Sequence, residues 1–187
     1  MSSWTVDVDE LIANMDAKLQ RPLPALRAIL MILENNLVPV LVEKGFQERA
    51  HPKSWHFAGE DLGDTTRPSM WPKILVGGAF STEEFGTGHM DTLSINVTCA
   101  ITTQVSRREF ADALDVATVA RGILRHPTYS GKFVDPDEPT IAYWNHLYPI
   151  GFAPVPEQWP NYSGWMARFV AQQVPGSNLW DVPLSQD

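Results

Sequence analysis

Residues 92–103 alternate almost without a break. Leu93, Ile95, Val97, Cys99 and Ile101 fall on one side, and Thr92, Ser94, Asn96, Thr98, Ala100 and Thr102 on the other. A period of two is the pattern of a strand with one buried face. A threonine-rich second face predicts an antiparallel sheet that is wet on one side. Immediately after it, Ser106-Arg107-Arg108-Glu109 has the spacing of a capping box. The helix it opens carries Phe110, Ala113, Leu114, Ala117, Ala120 and Leu124 on one stripe, and His126-Pro127 ends it. Two single-sided apolar sets this close in sequence are expected to bury each other.

The remaining elements are arranged around that pair. Asp7 and Glu10 cap a helix over residues 7–21, with Val8, Leu11, Ile12, Met15 and Leu19 at helical spacing and Pro22 closing it. A second helix follows, with Leu26, Ile29, Leu30, Leu33 and Leu37 as its stripe and Pro39 or Gly45 as its end. Residues 73–80 form a strand in which Gly77-Gly78 marks a bulge or a close approach of another chain segment. Further strands are expected over 140–148 and 164–174, joined by a proline-rich connection over 149–163. The expectation is one α+β domain over residues 1–187, with an antiparallel or mixed sheet of about four strands and helices packed on one face. Long loops, an ordered arm over 47–72 and an extended C-terminal tail over 175–187 complete it.

Composition narrows the function classes. The 187 residues include 22 acidic and 14 basic side chains, a net charge of −8, which argues against a general nucleic-acid binder. The basic residues of the capped helix, Arg107, Arg108, Arg121 and Arg125, read as a solvated face rather than a phosphate-binding stripe. With a single cysteine, Cys99, there is no intramolecular disulfide and no multi-cysteine zinc site. The N-terminus carries neither the basic nor the apolar region of a secretory signal. The longest uncharged stretch, residues 139–156, is broken by prolines and is not a membrane span. A soluble protein made in a reducing cytoplasm is expected.

No pattern of catalytic residues emerges. The five histidines, His51, His56, His89, His126 and His146, form no zinc-binding spacing. Cys99 belongs to the core-facing set of its strand, as a small buried hydrophobe. Gly86-Thr87-Gly88 lies between two strands and lacks the lysine and helix of a phosphate loop. The acidic run Asp135-Pro136-Asp137-Glu138 lacks the glycine of a calcium loop. No catalytic residue, cofactor or metal is expected.

Aromatic residues in irregular segments point to partners instead. Trp55, Trp71 and Trp159 lie in proline-rich stretches where an isolated core has little use for large rings, and buried aromatic anchors dominate interfaces. Residues 81–91 join two strands with more chain than a tight hairpin needs. They hold Glu83, Glu84, Phe85, His89, Met90 and Asp91, an acidic group with two apolar side chains. These nine residues are the candidate partner contacts, with the 81–91 hairpin projecting from the sheet to meet an axial partner.

An N-terminal helix, the hairpin ending in Leu93-Ser94-Ile95-Asn96-Val97-Thr98-Cys99-Ala100-Ile101, the helix with Ala113, Leu114, Ala120 and Leu124, and the final strand Trp165-Met166-Ala167-Arg168-Phe169-Val170-Ala171-Gln172 together resemble the tail terminator (tail completion) proteins of long-tailed bacteriophages. The resemblance covers residues 25–174. It implies a structural virion protein, assembled in the host cytoplasm, that forms a hexameric ring on the head-proximal end of the tail tube. Such a ring stops tube growth and joins tail to head, with a tail-tube protein and a neck or head-completion protein as its partners. DNA would pass through the lumen without specific binding, and no membrane is involved. The chain departs from the family in its 47–72 arm, its 149–163 connection and its C-terminal arm. Two other readings are another neck component, such as a head-closure or minor capsid protein, and a cytosolic enzyme or small-ligand-binding domain.

Overall fold

The computed structural model of the chain describes residues 4–5, 24–60, 62, 68–85, 88–102, 106–134, 142–156, 162–172 and 185–186. In chain order the elements are β1 (Trp4–Thr5), α1 (Pro24–Glu43), β2 (Ser54–Phe57), β3 (Lys73–Phe85), β4 (Gly88–Ile101), α2 (Arg107–Leu124), α3 (Pro127–Ser130), β5 (Phe133–Val134), β6 (Ala142–Trp144), β7 (His146–Pro154), β8 (Ser163–Gln172) and β9 (Ser185–Gln186). Short 3-10 turns occupy Glu48–Ala50 and Pro68–Met70. The helix expected over 7–21 lies outside the described residues.

The fold is α+β. Five strands form a mixed sheet in the order β2-β3-β4-β8-β7, with β2 parallel to β3 and every other pairing antiparallel. The alternation along β4 sets the sheet's two sides. Leu93, Ile95, Val97, Cys99 and Ile101 are all buried, in one cluster with Ala113, Val116, Ala117, Ala120 and Leu124 of α2 and with Ile29, Leu33, Leu37 and Leu41 of α1. The stripe on α2 is rotated slightly from expectation: Val116 is buried, whereas Leu114 is only half-buried. The capping box forms as its spacing demands. Ser106 Oγ accepts the Glu109 N–H, and the Glu109 carboxylate accepts the Ser106 N–H at 2.8 Å.

Pro39 does not close α1. The helix runs on to Glu43, because Leu37 and Leu41 on either side of the proline are fully buried while Asn35 and Pro39 lie on the exposed face, where water can take the hydrogen bond that proline cannot make. Its end is at Gly45, with φ +78°. The Gly45 N–H reaches the Val42 carbonyl at 2.9 Å and the Phe46 N–H the Leu41 carbonyl at 3.0 Å, the paired bonds of a Schellman motif. Among the described residues, Ala25–Glu43 is long and apolar enough to cross a membrane, with mean hydropathy 1.6. Of this helix, the stripe Ile29, Leu33, Leu37 and Leu41 is buried against the sheet and α2, while Met31 and Val42 are exposed.

Three other expectations are corrected. The 47–72 arm contributes β2, an edge strand paired to β3 at Ser54↔Lys73 through Phe57↔Val76. The proline-rich connection is in its first half a strand: β7 continues through Pro149 to Pro154, because it is an edge strand and needs hydrogen-bond donors on one side only. The second sheet face is also drier than its threonines suggest. Thr98, Ala100 and Thr102 are buried, and Trp71 and Leu75 pack over Ala100, with Leu62 and Tyr162 beside them.

The glycine pair is a site of close approach, with no bulge. A Cβ on Gly77 would collide with the Ala58 side chain, and one on Gly78 would stand 3.1 Å from Leu26 of α1 and 2.7 Å from the Ser94 carbonyl.

Candidate functional site

The 81–91 segment is not a long loop. The β3–β4 ladder continues without a register shift from Lys73↔Ala100 to Phe85↔Gly88, leaving two residues, Gly86 and Thr87, as the connection. On the far side of β4, pairing with β8 stops at Thr92↔Gln172. Four pairs of the hairpin, Thr82↔Asp91, Glu83↔Met90, Glu84↔His89 and Phe85↔Gly88, therefore extend past the end of β8 as a two-stranded ribbon. At the usual rise per residue, four pairs reach about 14 Å. The segment is long because it is strand: threonine and phenylalanine favour it, and a partner strand in register outweighs the low strand preference of Glu83-Glu84.

The ribbon gathers six of the nine candidate contact residues, Glu83, Glu84, Phe85, His89, Met90 and Asp91, at one end of the sheet. Their side chains lie outside the described residues. The three tryptophans do not share a surface. Trp71 is 4% exposed and packs on Leu75 and Ala100 of its own chain, with Lys73 Nζ 5.0 Å over its ring, so it has no surface left to give a partner. As a partner contact it is corrected: the second sheet face needed a cover, and Trp71 supplies it. Trp55 is half-buried against the main core, and Trp159 lies outside the described residues.

The polar residues weighed for chemistry serve the fold. Cys99 is fully buried, and desolvation pushes its thiol up to about 12, which leaves no thiolate at neutral pH. His51 Nε2 lies 3.2 Å from the Phe46 carbonyl. His56 meets Ser54 Oγ at 2.9 Å and the Glu60 carboxylate at 3.3 Å. Among the described residues, no group of three or more His, Cys, Asp or Glu is placed to hold a metal ion. Arg49 and Asp112 pair at 3.1 Å, tying the turn before β2 to α2 across a cleft of about 360 Å³. Arg107, Arg108 and Arg125 are exposed as expected. Arg121 departs from that reading, being half-buried with its guanidinium 5.9 Å from the centre of the Phe152 ring.

Sequence reasoning missed the aromatic group at the far end of the core. Trp144 is fully buried and stacks on Phe133 at 5.1 Å, and Tyr129 meets Phe133 edge-on at 5.6 Å. The signal available was the density of rings over 129–148; their spacing follows neither helical nor strand periodicity.

The chain matches no protein-family model and no curated protein.

Proposed function

We propose that the protein is a structural virion subunit of the tail-terminator type, which forms a ring at the head-proximal end of the tail tube, stops tube polymerisation and joins tail to head. One observation carries this reading: the β3–β4 ribbon, whose pairing runs four pairs past the last described pair of β4 with β8. Among the described residues, the buried ones of β4 lie between Thr92 and Ile101, and the ribbon begins beyond them. A chain that builds four further strand pairs past its described core residues presents backbone for something else to meet, and connecting segments held by a rigid scaffold are where binding residues concentrate. The acidic residues Glu83, Glu84 and Asp91 give the ribbon a negative character that suits a lumen through which DNA must pass without sticking. The tail-tube protein on one side and a neck protein on the other are the proposed partners, and the ring is proposed to be a hexamer.

The test is to shorten the ribbon. Removing the four pairs from Thr82↔Asp91 outward and joining Ser81 to Thr92 through Asn-Gly, a dipeptide suited to a two-residue hairpin, keeps the core intact. The expected result is a folded subunit whose phage makes tails of uncontrolled length without heads. Tails of normal length with heads attached would overturn the reading.

A further inference from the structure

The two edges of the five-stranded sheet differ in kind. On β7, Pro149 and Pro154 have no N–H to offer. The register shift between Pro149 and Gly151 disrupts the ladder beside Ile150, which is 54% exposed. Prolines and irregularities of this kind keep an edge from accepting another strand. The opposite edge is β2, which covers β3 only from Lys73 to Val76. From Gly77 to Phe85, no described strand lies along the outer side of β3.

The ladder fixes which backbone groups face that open side. The Lys53 N–H donates to the Pro72 carbonyl at 2.8 Å and the Ala58 N–H to the Val76 carbonyl at 2.9 Å, so these even-numbered positions turn outward, away from β4. In an antiparallel pair the direction alternates residue by residue, and the β3–β4 register does not shift. Gly78, Phe80, Thr82 and Glu84 therefore turn both N–H and C=O away from β4. Residues 77–85 hold no proline and no lysine. By the same alternation His89 and Asp91 turn their backbone groups away from β3, beyond the point where β8 ends at Thr92↔Gln172. Among the described residues, no strand covers either edge of the ribbon, and the two edges face opposite ways.

We propose that a second copy of this chain pairs here. The outer edge of β4 at His89 and Asp91 in one copy adds antiparallel to the outer edge of β3, at Gly78 to Glu84, in the next. This head-to-tail contact uses both open edges of every copy, and a heterologous contact of this kind closes into a ring when the rotation between copies allows. Pairing β3 with β3 across a two-fold axis would use one edge and stop at two copies. The choice of a second copy as occupant rests on the ring reading above.

The test uses the full chain. Thr82→Pro and Glu84→Pro each remove an outward N–H and leave the β3–β4 bonds in place, whereas Ser81→Pro removes an inward one. In sedimentation velocity, the unmodified chain is expected to associate beyond two copies as its concentration rises. T82P and E84P should melt as the unmodified chain does but remain monomeric, and S81P should lower the melting temperature. Hydrogen exchange on the unmodified chain is a second measurement that needs no variant: the amides of Gly78, Thr82 and Glu84 should become protected on association. A ring that forms while those amides exchange as fast as in the dilute monomer, or that T82P and E84P still form, would overturn the edge pairing and leave the ring reading standing. An assembly that stops at two copies would overturn the head-to-tail arrangement. A chain that stays monomeric at every concentration would overturn both.

Discussion

The indole N–H of Trp144 donates to the Tyr129 carbonyl at 2.7 Å, joining the last turn before β5 to the end of β6 inside the core. Trp144 is fully buried, and this bond satisfies the single polar atom that its burial would otherwise leave unpaired. Asn36 of α1 reaches the Tyr129 hydroxyl at 3.3 Å, so the same short segment is held from two sides.

Trp144→Phe keeps a ring stacked near Phe133 but removes the donor and leaves the Tyr129 carbonyl without it. The expected cost is about 1–3 kcal/mol, read as a lower denaturation midpoint with an unchanged slope. Stability equal to that of the unmodified chain would show that the bond does not contribute.

The rotation of the α2 stripe can be checked by truncation. Val116 is fully buried and Leu114 is half-buried, so Val116→Ala should destabilise the protein more than Leu114→Ala, although leucine loses more atoms. Ile95→Asp places a charge where Ile95 is fully buried and should prevent folding. A soluble Ile95→Asp chain that still melts cooperatively would contradict the β4 register.

Gly164 has φ +137°, and a Cβ there would run into the Cys99 carbonyl across the β4–β8 ladder. Only glycine suits both conditions. Gly164→Ala should therefore destabilise by more than Gly122→Ala, which sits in α2 with nothing within 4 Å of its new methyl and should be neutral or stabilising. Chemical denaturation of the two variants side by side gives the comparison.

The Cys99 thiol links stability to alkaline pH. Its pKa is raised from 9.0 to about 12 by burial, so the folded chain keeps its proton where the unfolded chain loses it. Stability is unaffected by this group below pH 9 and should fall as pH rises from there towards 12, by at most about 1.4 kcal/mol per pH unit. A Cys99→Ala variant should lack that part of the decline, although the smaller side chain lowers its stability at neutral pH. In the native protein the thiol should resist alkylation at pH 8 and react once the chain is unfolded.

What the sequence by itself determined is local and one-sided. The alternation from Leu93 to Ile101, the capping box of Ser106 and Glu109, and the stripe from Leu26 to Leu37 each state which face is buried, because periodicity records burial residue by residue. The partner-facing reading of the 81–91 hairpin came from composition, and the sequence placed its residues together without showing how. Tertiary structure decided the rest. Pro39 sits inside a helix and Pro149 inside a strand because the missing hydrogen bond falls on an exposed helix face in one case and on an edge strand in the other. Neither condition exists until the neighbouring elements are in place. Ser54–Phe57 is a strand because β3 offers it an edge, and Trp71 is interior because the second sheet face needed a cover. The open side of β3 is likewise a property of the ladder: which N–H groups point outward depends on register with β4, and register is set by pairing between strands, not by the identity of the residues that carry those groups.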